Sequence, residues 1–257
     1  MVASDLFDTS WFSAHYSEAR NRFRQLVSDR GGRCEALALD IHGPDGQALS
    51  IDIGYFGAKA PKKVLLHSSG VHGVEGFAGS AIQLSAIASN RYKAPDEDAL
   101  VFVHVINPYG MSWLRRVNEN NVDLNRNFLF KDDSFTGAPQ GYGAMNAVLN
   151  PRTPPKFDLF LVRAGLKILR HGYTSLKQAV TGGQYAYPHG LFYGGARLQA
   201  GPRIYLDWLK AALGGVTQIC AIDVHTGLGQ SGEDTLLVEA DRQDPLFLAL
   251  HKTFGDR

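Results

Sequence analysis

Cysteine is nearly missing from this chain: Cys34 and Cys220 are the only two in 257 residues. That number cannot build a disulfide framework and points to a reducing compartment. An excess of charge of one sign is missing as well. The 26 basic and 25 acidic side chains leave a formal net charge of +1, which gives no electrostatic reason to expect nucleic acid or an anionic membrane as partner. No apolar run approaches the roughly 20 residues that span a bilayer, and the stretch Phe157 to Arg163 is broken by charge. The segment Met1 to Thr9 lacks the basic-then-apolar layout of a signal peptide. Repeats, low-complexity tracts and linkers are absent too. The chain is 44% hydrophobic, enough to bury a large core as one domain over residues 1–257. The expected location is cytoplasmic.

The pattern of apolar residues supplies the fold class. Phe12, Tyr16, Ala19, Phe23, Leu26 and Val27 recur at helical spacing, with Thr9 or Ser10 as cap and Gly31-Gly32 as stop. Glu35 to Ile41 and Leu49 to Tyr55 alternate around Gly43-Pro44-Asp45-Gly46 and read as a β-hairpin. Apolar runs at Val64-Leu65-Leu66, Val101 to Ile106 and Ile219 to Val224 read as strands. Helical patterns cover Phe77 to Ala88, Lys156 to Arg170, Tyr173 to Val180 and Gly201 to Leu213. Strand and helix alternate, so an α/β fold with a mixed, largely parallel sheet and helices on both faces is expected.

The chemistry gathers at three strand ends. Ser69-Gly70-Val71-His72-Gly73-Val74-Glu75-Gly76 follows the first run and places an imidazole and a carboxylate three positions apart in a glycine-flanked loop. Zinc accepts both groups, and two histidines with one glutamate leave a position open for water or substrate. The second strand leads into Asn107-Pro108-Tyr109-Gly110 and then to Arg115, Arg116 and Val122-Asp123-Leu124-Asn125-Arg126-Asn127-Phe128. The third ends in Ile222-Asp223-Val224-His225-Thr226-Gly227. Open α/β sheets carry their sites at the carboxyl ends of strands.

Other residues have plainer readings. His67 and His104 lie inside apolar strands and are expected to be packed and hydrogen-bonded. His15, His42, His171 and His251 are expected at the surface, and His189, in the aromatic glycine-rich segment, reads either as facing a substrate cleft or as a solvated loop residue. Cys220 reads as a small core residue of its strand, and Trp113 as packing. Tyr185, Tyr187, Phe192 and Tyr193 lie beside glycine and proline, where aromatics line pockets or anchor loops.

Taken in order, the His-x-x-Glu loop, the Asn-Pro-x-Gly turn, Val-Asp-Leu-Asn-Arg-Asn-Phe and Ile-Asp-x-His resemble the zinc carboxypeptidases of the M14 type. The likeness is to a bacterial branch described as DUF2817 and runs from about Trp11 to the last residue. The segment Gly183 to Gly195 looks particular to that branch. The resemblance implies one zinc ion held by His72, Glu75 and His225, with Asp123 accepting the outer N–H of His72. It implies that Asn125 and Arg126 bind a substrate carboxylate and that Arg116 steadies the oxyanion, a role in which Arg115 and Arg116 remain interchangeable. The implied reaction is hydrolysis of an amide next to a free carboxylate in a small peptide.

The family's carboxylate base lies on a strand far beyond the second histidine, and 257 − 225 = 32 residues follow His225 here. Only Glu233 and Glu239 occur in that stretch as glutamates, and neither matches the base by context. On this reading the domain lacks its C-terminal part. Two alternatives follow: a catalytically inactive chain that binds zinc or ligand only, and a zinc deacylase acting on acyl-amino acids.

Overall fold

The computed structural model describes residues 8–89, 96–129, 133–151, 159–227, 233, 235–238 and 240–255. The chain divides into two compact units, Met1–Val224 and His225–Arg257. The first unit is built on a five-stranded sheet of order β1-β2-β4-β3-β5. Its strands are β1 (Arg33–His42), β2 (Ala48–Gly57), β3 (Lys63–Ser69), β4 (Ala99–His104) and β5 (Gln218–Val224). The hairpin β1–β2 is antiparallel, as is β2–β4, whereas β3 runs parallel to both β4 and β5. The mixed sheet expected from the alternation of elements is present, and its parallel part is β4-β3-β5. The hairpin turn closes through Gly43 N donating to Gln47 O at 2.9 Å, with Gly46 at φ 72°, a left-handed conformation that glycine adopts without steric cost.

Both faces of the sheet are covered at its centre, which is why β4 is buried along its whole length. Alternate residues of β4 face opposite sides. Leu100 and Phe102 pack with Phe23 and Val27 of α1 (Tyr16–Asp29) and Leu84 and Ile87 of α2 (Gly76–Ala88). Val101 and Val103 belong to the opposite core, with Ile51 and Ile53 of β2 and Tyr205, Trp208 and Leu213 of α7 (Ala200–Leu213). Burying a side chain such as Phe102 is worth roughly 2 kcal/mol. Between α2 and α7 in chain order come α3 (Pro108–Ser112), α4 (Tyr142–Leu149), α5 (Phe160–His171) and α6 (Tyr173–Thr181). Among the described residues no helix is long and apolar enough to cross a membrane.

Three expectations need correction or trimming. Thr9 and Ser10 do not cap α1: they lie in a separate 3-10 turn capped by the Asp8 carboxylate, and α1 begins after His15. Arg22 explains the break, because its guanidinium gathers the carbonyls of Ser10, Trp11 and Phe12 and holds that segment off the helix axis. Cys220 is exposed rather than packed, and Ile219 is 49% exposed. The reason is strand order: β5 is the last strand in the sheet and pairs only with β3 among the described residues. The helix expected from Lys156 starts at Phe160, and Lys156 to Asp158 lie outside the described residues.

The two strand histidines are packed as expected. His104 is fully buried, bonded through Nε2 to Ser80 Oγ at 2.9 Å and stacked on Phe23 with centroids 4.6 Å apart. Burial drives its pKa down to about 3. His67 is half-buried beside Gln83. His15, His42, His171, His189 and His251 are exposed. The unit His225–Arg257 contains α8 (Pro245–Phe254), which starts where the Asp244 carboxylate accepts from Leu246 N at 2.7 Å. Aspartate at this position with proline following it is a favoured helix start.

Candidate metal centre

The His-x-x-Glu loop leaves β3 through Gly70, whose φ of 67° turns the chain sharply. A Cβ on Gly70 would lie 2.7 Å from the Val105 side chain. Gly73 is equally constrained, because a Cβ there would stand 2.1 Å from the backbone of Gly110. This close approach lets the loop hang on the segment after α3: Gly73 N donates to Arg116 O and Val74 N to Arg115 O. Asn107 locks the same corner. Its Oδ1 caps α3 by accepting from Gly110 N at 2.8 Å, and its Nδ2 donates to Arg116 O at 3.2 Å. The Asn-Pro pair therefore has a mechanical role that sequence reasoning leaves unassigned, although a capping residue followed by proline is its signature.

His72 occupies the position before a 3-10 turn (Gly73–Glu75), which brings the Glu75 carboxylate back over the imidazole. His72 Nδ1 lies 2.9 Å from Glu75 Oε1, and Nε2 lies 3.1 Å from Asp123 Oδ1. Asp123 is placed by its own capping role, since it accepts from Asn125 N at the start of the 3-10 turn Leu124–Arg126. Its amide also donates to Tyr193 O at 2.7 Å. The side chains of His72, Glu75 and Asp123 are 5%, 10% and 1% exposed.

Arg116, not Arg115, carries its guanidinium into this cluster. Nε donates to Asp123 Oδ2 at 3.1 Å, Nη1 lies 3.7 Å from Glu75 Oε1, and Nη2 lies 2.6 Å from His72 Nε2. The His72 Nε2 atom can donate to Asp123 or accept from Arg116, and its tautomer decides which. Burial alone would favour neutral groups here. Hydrogen bonds outweigh it: despite burial, Asp123 and Glu75 hold the His72 pKa above its ordinary value, while His72 and Arg116 hold the Asp123 carboxyl below its own.

Asn125 is exposed and Arg126 half-buried, both in the turn after Asp123. Arg126 donates to Asn125 O and to Thr181 O at the end of α6, and Tyr185 Oη donates to Arg126 O. His225 is bonded to Val224, the β5 residue in register with Ser69 at the end of β3. Two donors on one zinc at about 2.0–2.1 Å stand roughly 3.3 Å apart in a tetrahedral set, so the 2.9 Å between His72 Nδ1 and Glu75 Oε1 fits a shared ion with a small adjustment. Glu233 is exposed, and Glu239 lies outside the described residues.

Fold and site together define a mixed α/β protein whose loop after β3 brings a histidine and a glutamate together beside a buried aspartate and an arginine. Residues 12–257 match the family model described as "Protein of unknown function (DUF2817)", and the chain belongs to that family. No curated protein matches the sequence. Among solved structures, the chain is similar to a Fimbriiglobus ruber glutaminyl cyclase at 10% identity, covering 35% of this chain and 36% of that one with a TM-score of 0.25. It is also similar to a Tannerella forsythia glutaminyl cyclase (13% identity, 84% and 79% covered, TM-score 0.33). A Zn-dependent exopeptidase from Parabacteroides distasonis matches at 14% identity, with 86% and 79% covered and a TM-score of 0.32. The chain thus spans about a third of the length of the first of these and about four fifths of the other two.

Proposed function

We propose that the chain is a zinc-dependent hydrolase of the M14 carboxypeptidase type, cleaving an amide bond next to a free carboxylate. The observation that carries this reading is the double hold on His72, with Glu75 at Nδ1 and Asp123 at Nε2. A carboxylate on the outer nitrogen fixes the tautomer that presents the other nitrogen's lone pair to a metal and raises its basicity. An imidazole buried for packing alone has no use for two carboxylates.

In this reading His72, Glu75 and His225 hold one zinc ion, which when bound supplies a Lewis acid and an acidified water. Arg116 stands beside Glu75 and stabilises negative charge growing on the substrate oxygen. Losing one such donor costs roughly 3–4 kcal/mol of transition-state stabilisation. Asn125 and Arg126 receive the substrate carboxylate, the planar guanidinium suiting its two oxygens, and fix the orientation of the scissile bond. For Arg126 this means exchanging the Thr181 carbonyl for a charged partner.

Purified protein is expected to carry about one zinc per chain, and His72→Ala and His225→Ala are each expected to abolish it. Metal analysis giving full zinc in both variants would refute the assignment. Assays on carboxyl-terminal peptides against acyl-amino acids separate peptidase from deacylase. Zinc bound without hydrolysis of either class would leave a ligand-binding role.

A further inference from the structure

Within residues 183–195 the backbone adopts left-handed conformations at Gly183 (φ 85°), Gly195 (φ 93°) and also Phe192 (φ 55°). A residue with a Cβ is disfavoured there. The segment holds glycine at 183, 190, 194 and 195, so glycine serves where the turn needs freedom, yet position 192 keeps an aromatic ring. The ring has a definite partner: the Arg116 guanidinium carbon lies 5.3 Å from its centroid, within cation–π range. The backbone around it is pinned. Phe192 O accepts from Gln184 N at 3.0 Å, Tyr193 O from Asp123 N at 2.7 Å, and Gly194 O from Asn127 Nδ2 at 2.8 Å.

Arg116 needs such support. Its side chain is 41% exposed, and a long, solvated arginine loses much rotamer freedom when held in one pose. Its carbonyl is fixed by Gly73 N and Asn107 Nδ2, which settles the backbone but not the side chain. Asp123 holds the Nε edge, and the Phe192 ring lies under the guanidinium carbon.

We propose that Phe192 is a positioning residue whose ring, held in a left-handed turn, orients the Arg116 guanidinium beside the His72–Glu75 pair. The catalytic consequence rests on the hydrolase reading given above; the contact itself does not. The two are therefore tested separately, with Phe192→Tyr, Phe192→Trp, Phe192→Leu and Phe192→Gly.

The first measurement follows the Arg116 Nε–H resonance by NMR. Stacking on the ring displaces it and slows guanidinium rotation in the parent, in Phe192→Tyr and in Phe192→Trp. Both signatures are expected to vanish in Phe192→Leu, which fills similar space without a π face. An unchanged Arg116 signal in the leucine variant would overturn the proposal, whether or not the protein hydrolyses anything. The second measurement is kcat and KM of zinc-loaded protein on a carboxyl-terminal peptide. Phe192→Leu and Phe192→Gly should lower kcat roughly three- to tenfold, the size of a cation–π contact at a partly exposed site, with KM little changed and activity regained in the Tyr and Trp variants. Parental kcat in Phe192→Leu would overturn the positioning role; absence of zinc and turnover in the parent would instead remove the hydrolase reading. Phe192→Gly separates function from folding. It relieves the left-handed backbone, so it is expected to melt no lower than the parent while losing the Arg116 signal. Losses of activity that only follow losses of melting temperature across the four variants would overturn the proposal.

Discussion

His72 and His104 are both buried, 4% and 0% exposed, and their surroundings have opposite character. His104 lies in the middle of the fold against Phe23 and Ser80, and burial lowers its pKa to about 3. His72 is also disfavoured as a cation by burial, but hydrogen bonds to Asp123 and Glu75 carry its pKa the other way. Burial by itself therefore says little about the use of a histidine. The groups set at its two nitrogens say more: a single hydroxyl for His104, two carboxylates and an arginine for His72.

Acid puts the greatest strain on this contrast. His104 has a folded pKa below its unfolded value of about 6.5, so between those limits the unfolded chain binds more protons and stability falls as the pH falls. Its contribution is fully present above pH 6.5 and is lost on the way down to about pH 3. Relative to a His104→Asn variant, which cannot titrate there, the parent should lose roughly 3 kcal/mol between pH 7 and pH 4, read by denaturant unfolding at each pH. Direct NMR of the imidazole should show no protonation above about pH 4. A His104 that titrates near 6.5 in the folded protein would erase the contrast with His72.

Asp123→Asn probes the other histidine. The amide keeps the size of the side chain but removes the charge that faces His72 Nε2 and Arg116 Nε. Removing a carboxylate partner of a metal-bound histidine typically costs 10- to 100-fold in affinity. Zinc titration by calorimetry is therefore expected to show a loss of about that size, with the ion still bound. Unchanged affinity would mean that Asp123 serves only as the cap of the Leu124–Arg126 turn.

The two histidines also mark how far the sequence can be read. The strand carrying His104 is legible because Val101 to Ile106 is apolar on both faces, which only a covered central strand tolerates. The hairpin is legible because Gly43 to Gly46 interrupts two alternating runs. The candidate ligands stand out because His72, Glu75 and His225 follow apolar runs closely. Strand order is not legible: nothing local in Ile219 to Val224 distinguishes a central strand from the last one, so the exposure of Cys220 escapes a sequence reading. The start of α1 escapes it too, because Arg22 reaches three carbonyls from twelve to ten residues away in the chain, a contact that periodicity does not carry. The contact of Phe192 with Arg116 is hidden for a related reason, since the two positions are 76 residues apart and meet only once the Gly183 to Gly195 segment has folded.

A subtler change tests how lean the surroundings of His104 are. Ser80 Oγ is the hydrogen-bond partner of Nε2 at 2.9 Å, and Nδ1 is buried without one. Ser80→Ala would leave the second nitrogen without its hydroxyl in a site too tightly packed to offer a substitute. A buried polar atom stripped of its partner costs about 1–3 kcal/mol, and the low end applies here because a neutral imidazole loses a single neutral bond. A decrease of roughly 1 kcal/mol in unfolding free energy at pH 7 is expected, with no change in zinc affinity. If zinc binding weakened as well, His104 and His72 would be coupled through α2 and β4, and the separation between a histidine used for packing and one proposed to hold metal would not hold.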